Sequence, residues 1–141
     1  MPSMKEQLRR HSVALISLAV ALTSLGYNTW RNERTEANRN IRTAGIEFLL
    51  KLGELEQVVF FMVYDMDSDR GNPREGWAYV LTIKDLAALT EEPAIRSTES
   101  LFQVWQDDWP ELADDEDAAQ RISTAIDQAR ADMLSVLANL D

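Results

Sequence analysis

HSVALISLAVALTSLGYNTW, residues 11–30, runs for 20 residues without one Asp, Glu, Lys or Arg, and the reading of the whole chain turns on it. Wound as an α-helix at about 1.5 Å per residue, it covers about 30 Å, the thickness of a bilayer's hydrocarbon core. The strictly apolar centre, Val13 to Leu25, contains Ser17, Thr23 and Ser24. Tyr27 and Trp30 stand where aromatic rings meet lipid headgroups, and Lys5, Arg9 and Arg10 flank the other end. The expectation is a basic tail at 1–10 followed by a single transmembrane helix at 11–30. Two other readings fit part of this pattern. A secretory signal peptide has the same basic start and apolar middle, with Ser24-Leu25-Gly26 as a mediocre small-residue cleavage site. A buried soluble helix is the other, but basic and aromatic flanks fit a bilayer better, and the helical pattern continues unbroken past Trp30.

Within the span, Ala14, Ser17, Ala21 and Ser24 recur at three, four and three. That face of small residues lets a second helix approach closely and attract by van der Waals contact, the main attraction available in lipid. Leu15, Leu18, Leu22 and Leu25 form the stripe expected to meet acyl chains. The expected partners are therefore membrane lipid and either a membrane protein or another copy held through the span. Orientation is nearly balanced, with three Lys/Arg before the span and Arg31, Arg34, Arg39 and Arg42 soon after it. The short basic tail, with its free amine, favours an N-terminus in the cytoplasm and the body outside.

Beyond Trp30 comes RNERTEANRN, residues 31–40, polar on every face yet free of Gly and Pro. With no apolar stripe to bury, it reads as a solvated helical stalk. Ile41, Gly45, Phe48, Leu52, Leu55, Val59 and Met62 then recur at alternate spacings of four and three, widened by Ala44, Leu49 and Val58. Span, stalk and this amphipathic stretch are expected to form one rod from about residue 12 to residue 64. DMDSDRGNPREG, residues 65–76, is a turn that carries its own restart: Asn72 as N-cap, Pro73 at the first helical position, and Glu75 placed to reach back to the cap. A second helix is expected to Leu89, burying Trp77, Val80, Ile83 and Ala87. Glu91, Glu92 and Pro93 break it, and a third follows with Ile95, Thr98, Phe102, Trp105 and Trp109 on one stripe, closed by Pro110. DDED at 114–117 places acids at the unpaired amides of a fourth helix, where Ala119, Ile122, Ile126, Ala129, Met133, Val136 and Leu140 repeat the rhythm. No alternating strand pattern competes. The fold class expected is all-α: an N-terminal transmembrane helix continuing into an antiparallel four-helix bundle over residues 41–141.

Composition narrows the function. The chain has 141 residues, 14 Lys plus Arg against 24 Asp plus Glu, and a formal net charge of −10. Phosphate recognition needs an excess of basic groups, so nucleic acid is not an expected partner. The chain lacks Cys and has one histidine, His11, which excludes thiolate metal sites, thiol nucleophiles and a Ser/His/Asp triad in the body. The five glycines form no phosphate-binding loop, and no cofactor is expected. With 24 acids, carboxylate pairs arise by chance, and none is singled out as catalytic. Charge is uneven: residues 31–42 hold four Arg and two Glu, whereas residues 91–141 hold 13 acids and three Arg. The basic collar is suited to anionic headgroups, and the acidic half to a solvated face.

Two features stand out as candidate sites. Asp65, Asp67 and Asp69 resemble the start of a calcium loop, but the sixth position is Arg70 instead of Gly and the twelfth is Gly76 instead of Glu. Solvated turn carboxylates are the reading adopted, and no metal ligand is assigned. Phe60 and Phe61 are adjacent, so both cannot face one stripe, and Trp109 lies beside Pro110. These three are candidate partner contacts, because aromatic side chains dominate interface hot spots.

SLAVALTSLGYNTWRNER, residues 17–34, with GWAYVLTIKDL, residues 76–86, resembles a group of bacterial single-span, membrane-anchored helical proteins to which no activity is assigned. The resemblance implies a bacterial inner-membrane setting. The function expected is a non-catalytic interaction protein, an accessory, assembly or scaffold subunit of a membrane complex. The alternative is a ligand-sensing helical module acting through a separate signalling partner. An enzyme built on carboxylates alone lacks positioned bases and nucleophiles.

Overall fold

The computed structural model describes residues 4–65, 67 and 69–140, with side chains from residue 11 onward. The first three residues of the basic tail, the side chains of Lys5, Arg9 and Arg10, and Met66, Ser68 and Asp141 lie outside the described residues. The chain is all-α, about 85% helical. The helices are α1 (Met4–Val63), α2 (Pro73–Ala87), α3 (Ala94–Asp108) and α4 (Glu116–Ala138), with a single 3-10 turn, Trp109–Glu111, between the last two. The chain divides into two units, Met1–Ala37 and Asn38–Asp141, and α1 contributes to both.

The first unit is α1 alone. It begins earlier than the sequence pattern indicates, because residues 4–10 contain no Gly or Pro to stop a helix. The Thr23, Thr29 and Thr35 hydroxyls donate to the carbonyls of Ala19, Leu25 and Arg31 at 2.8, 3.0 and 2.9 Å. These side chains are thus satisfied inside their own helix. Its apolar window is long enough to cross a membrane, and none of that window is buried by the chain.

The second unit holds the core. Phe48, Leu52 and Leu55 of α1 are fully buried, as the spacing indicates, together with Ile83, Leu101, Ile122, Ile126 and Met133. Asn72 caps α2, its side chain accepting from the Arg74 amide at 3.0 Å, with Pro73 following as the first helical residue. Asp115 caps α4 by accepting from the Asp117 amide at 2.9 Å, so one acid of DDED supplies the hydrogen bond and Glu116 and Asp117 face the positive end of the helix. The Glu92–Pro93 peptide is cis.

Glycines set how closely the helices approach. A Cβ on Gly45 would strike Leu137 and Met133 of α4, and one on Gly76 would strike the Trp105 ring. Trp105 is completely buried, and its indole N–H finds no acceptor among the described residues. Such an orphan costs about 1–3 kcal/mol, while burial of an aromatic side chain returns about 1.5–3 kcal/mol.

Two expectations are corrected here. Trp77 is half-buried, because Gly76, its neighbour, takes the position under Trp105 and turns Trp77 toward Phe102. On α3 the buried face is Ala94, Ser97, Thr98, Leu101 and Trp105, rotated from the stripe through Ile95, Phe102 and Trp109. Large side chains at the edge of that face mimic the periodicity of its centre. The Ser97 and Thr98 hydroxyls are satisfied by donating to the Ala94 carbonyl at 3.3 and 2.7 Å.

Gly76→Ala is expected to overpack this site and destabilise the chain by about 1–3 kcal/mol. Urea unfolding of the full chain in mild detergent, followed by tryptophan fluorescence, measures the change.

Candidate interaction surfaces

In the first unit Ala14, Ser17, Ala21 and Ser24 are exposed, as are Leu15, Leu18, Leu22 and Leu25 at 52–64%. Tyr27 and Trp30 form a tilted pair with ring centroids 6.1 Å apart, and the Arg34 guanidinium lies 5.9 Å from the Trp30 ring. Small-residue stripe, leucine stripe and aromatic-cationic cluster all belong to one helix, because α1 runs through them without a break.

The three aromatic candidates in the second unit have different surroundings. Phe60 is 49% exposed and stacks with Tyr64 at 5.2 Å. Phe61 is half-buried, with the Arg70 guanidinium 3.7 Å from its ring centre. Trp109 is half-buried and belongs to an edge-to-face cluster, with Trp77 at 6.3 Å from Trp109 and 5.9 Å from Phe102. The Lys84 ammonium lies 4.0 Å from the Phe102 ring and pairs with Glu99 at 2.7 Å. Phe60 is therefore the most available of the three, while Phe61 and Trp109 are engaged within the chain. The aromatic cluster was not readable from sequence, since its members come from α2, α3 and the 3-10 turn.

In the 65–76 turn, the Asp67 carboxylate accepts from the Asp69 and Arg70 amides, both at 3.1 Å. It thereby stabilises the turn itself. Asp65 and Asp69 are exposed, and among the described residues no three His, Cys, Asp or Glu side chains are grouped to hold a metal ion.

Sequence reasoning missed a cleft of about 320 Å³ between the end of α1 and the start of α4. Val59, Val63 and Tyr64 form one wall, and Asp114, Asp115, Glu116 and Ala119 lie on the other. Its lining sets apolar Val59, Val63 and Leu112 beside acidic Asp114, Asp115 and Glu116, a juxtaposition that the meeting of α1 with the start of α4 creates.

The acidic half keeps its arginines paired. Arg121 makes a two-pronged contact with Asp108, Nε and Nη2 donating to separate carboxylate oxygens at 2.9 and 2.7 Å. Arg130 pairs with Glu56 of α1, and Arg96 with Glu92 at 3.7 Å. The hydrogen bonds from Arg121 hold the Asp108 carboxyl below its ordinary value, reinforced by the guanidinium charge and opposed by partial burial. Hydrogen bonds from Lys84 and Gln103 lower that of Glu99.

A carboxyl with a lowered pKa in the folded chain adds stability above its unfolded value, about 3.9 for Asp, and loses it as pH falls through the folded value. Asp108→Asn is therefore expected to be less stable than the parent at pH 7. The two urea-unfolding midpoints should converge on acidification, once Asp108 is itself protonated. No protein-family model, curated protein or solved structure matches this chain.

Proposed function

We propose that this chain is a non-catalytic, membrane-anchored interaction protein, an accessory, assembly or scaffold subunit of a membrane complex. Residues 11–30 cross the membrane once, and residues 41–141 form an antiparallel four-helix bundle. The observation that carries this reading is the apolar window of α1, which the chain leaves wholly uncovered. Exposed in water, seven side chains, Val13, Leu15, Ile16, Leu18, Val20, Leu22 and Leu25, would forgo on the order of 10 kcal/mol of burial at about 1.5–3 kcal/mol each. Lipid removes that penalty, and the α-helix satisfies its own backbone there.

Contacts in the second unit support the antiparallel arrangement. Gly45 meets Leu137 and Met133, Glu56 pairs with Arg130, and Val59 and Val63 share the cleft with Ala119 and Ser123, so positions rise along α1 as they fall along α4. Gly76 with Trp105 and Lys84 with Glu99 follow the same rule for α2 and α3. The lack of Cys and the single His support a role in contact instead of chemistry. The stripe of Ala14, Ser17, Ala21 and Ser24 is the proposed face for a partner helix. The bacterial inner membrane, with the N-terminus cytoplasmic and the bundle periplasmic, follows from the resemblance of residues 17–34 and 76–86 and from the short basic tail.

A second reading, a ligand-sensing module that signals through a separate protein, draws on the cleft beside Asp114 and Glu116. A metabolite and metal panel tests it by thermal shift, since a ligand that binds only the folded chain raises the Tm.

For the leading reading, the full chain should stay in the membrane fraction through an alkaline carbonate wash. Mild-detergent purification through a tag should recover it with a membrane-protein partner, and Ser17→Leu should reduce that recovery. Release by carbonate, or recovery alone at monomer mass, counts against the proposal.

A further inference from the structure

We propose that the outer face of α1 from Ile46 to Phe60, continued by Tyr64 just past the helix end, is where two copies of this chain associate side by side, their helices crossing at Gly53. Ile46, Leu50, Gly53, Gln57, Phe60 and Tyr64 recur at four, three, four, three and four, the spacing that keeps one stripe turned toward a neighbouring helix. The stripe lies opposite the buried Phe48, Leu52 and Leu55. Its large members are left uncovered by the chain: Ile46, Leu50, Phe60 and Tyr64 are 51, 57, 49 and 73% exposed.

Gly53 is the independent observation. Gly45, Gly71 and Gly76 each have a neighbour that a Cβ would strike, whereas at Gly53 nothing beyond the adjoining residues and the local helix backbone lies within 4 Å of that position. A glycine inside a helix destabilises it relative to Ala, and nothing in the chain's own packing requires one here. Close approach of a second backbone does. Gly26 is equally open but lies outside the stripe.

A second copy fits this face by symmetry and charge. Arg42 and Glu47 are both exposed and flank the stripe on opposite sides. In a parallel pair, flanking positions five residues apart face each other across the seam, so Arg42 of one copy meets Glu47 of the other, twice. Arg39, seven residues before Ile46 on the same stripe, would bring like charges together and so ends the contact on that side. The parallel sense rests on the anchor reading, because copies inserted in the same direction align their α1 helices.

The chain has no cysteine, so one introduced thiol reports on the contact. Ile46→Cys and Phe60→Cys are expressed separately and oxidised mildly in native membranes, with Gln128→Cys on the exposed surface of α4 as control. Each of the first two should give a disulfide-linked dimer on its own, and the control should not. Adding Gly53→Leu should cut the yield about tenfold while far-UV circular dichroism stays unchanged, since nothing in the chain adjoins that position. The proposal is overturned if neither variant exceeds the control, if dimers form only when Ile46→Cys and Phe60→Cys chains are mixed, or if Gly53→Leu leaves the yield intact. Crosslinks are read in both the carbonate pellet and the supernatant. A chain found in the supernatant fails the anchor reading, while its crosslinks still decide the contact between copies.

Discussion

The apolar window of α1 is the constraint from which the rest follows. Its backbone is satisfied by the helix and its threonine hydroxyls by carbonyls four residues back, while its aliphatic side chains, Val13 to Leu25, are left exposed by the chain. The penalty of leaving them in water is comparable to the whole stability of an ordinary domain, about 5–15 kcal/mol. On the proposed reading, lipid supplies the cover that the chain itself does not. The polar stretch 31–40 marks where the requirement stops, since no apolar stripe passes through it.

In the second unit the governing relation is between glycine and a large side chain. Gly45 admits Leu137 and Met133, and Gly76 admits Trp105. Each lost Cβ weakens its helix slightly, and each allows a bulky side chain to sit against backbone. Trp105 shows the trade: its ring is sealed while its N–H finds no acceptor among the described residues, two opposing effects of similar size.

The three-four rhythm made the core faces of α1 and α4 legible, because Phe48, Leu52 and Leu55 on one and Ile122, Ile126 and Met133 on the other recur at helical spacing and are all buried. Asn72-Pro73 marked the start of α2 because cap chemistry is local. On α3 the rhythm misled, since Phe102 and Trp109 look like core yet belong to an aromatic cluster half open to solvent. Neither the partnership of Gly76 with Trp105 nor the cleft at the start of α4 was legible, for each depends on residues far apart in sequence. Of the aromatic candidates, sequence showed that Phe60 and Phe61 diverge, but the difference between them is set by Arg70, which the 65–76 turn brings back over the Phe61 ring.

Charge decides which faces remain open to association. Arg96, Arg121 and Arg130 are each tied to a carboxylate, and Lys84 of α2 pairs with Glu99, so the acids of α3 and α4 outnumber the basic groups that reach them. Two such faces repel each other, and an anionic bilayer surface repels both. The outer stripe of α1 differs: Ile46, Leu50, Phe60 and Tyr64 carry no charge, and Arg42 and Glu47 beside them are of opposite sign. A second copy approaching from α3 or α4 meets like charge, whereas one approaching along α1 meets apolar surface with complementary flanks. In the proposed pairing of two copies the acidic half works by exclusion, confining association to the helix that also carries the apolar window.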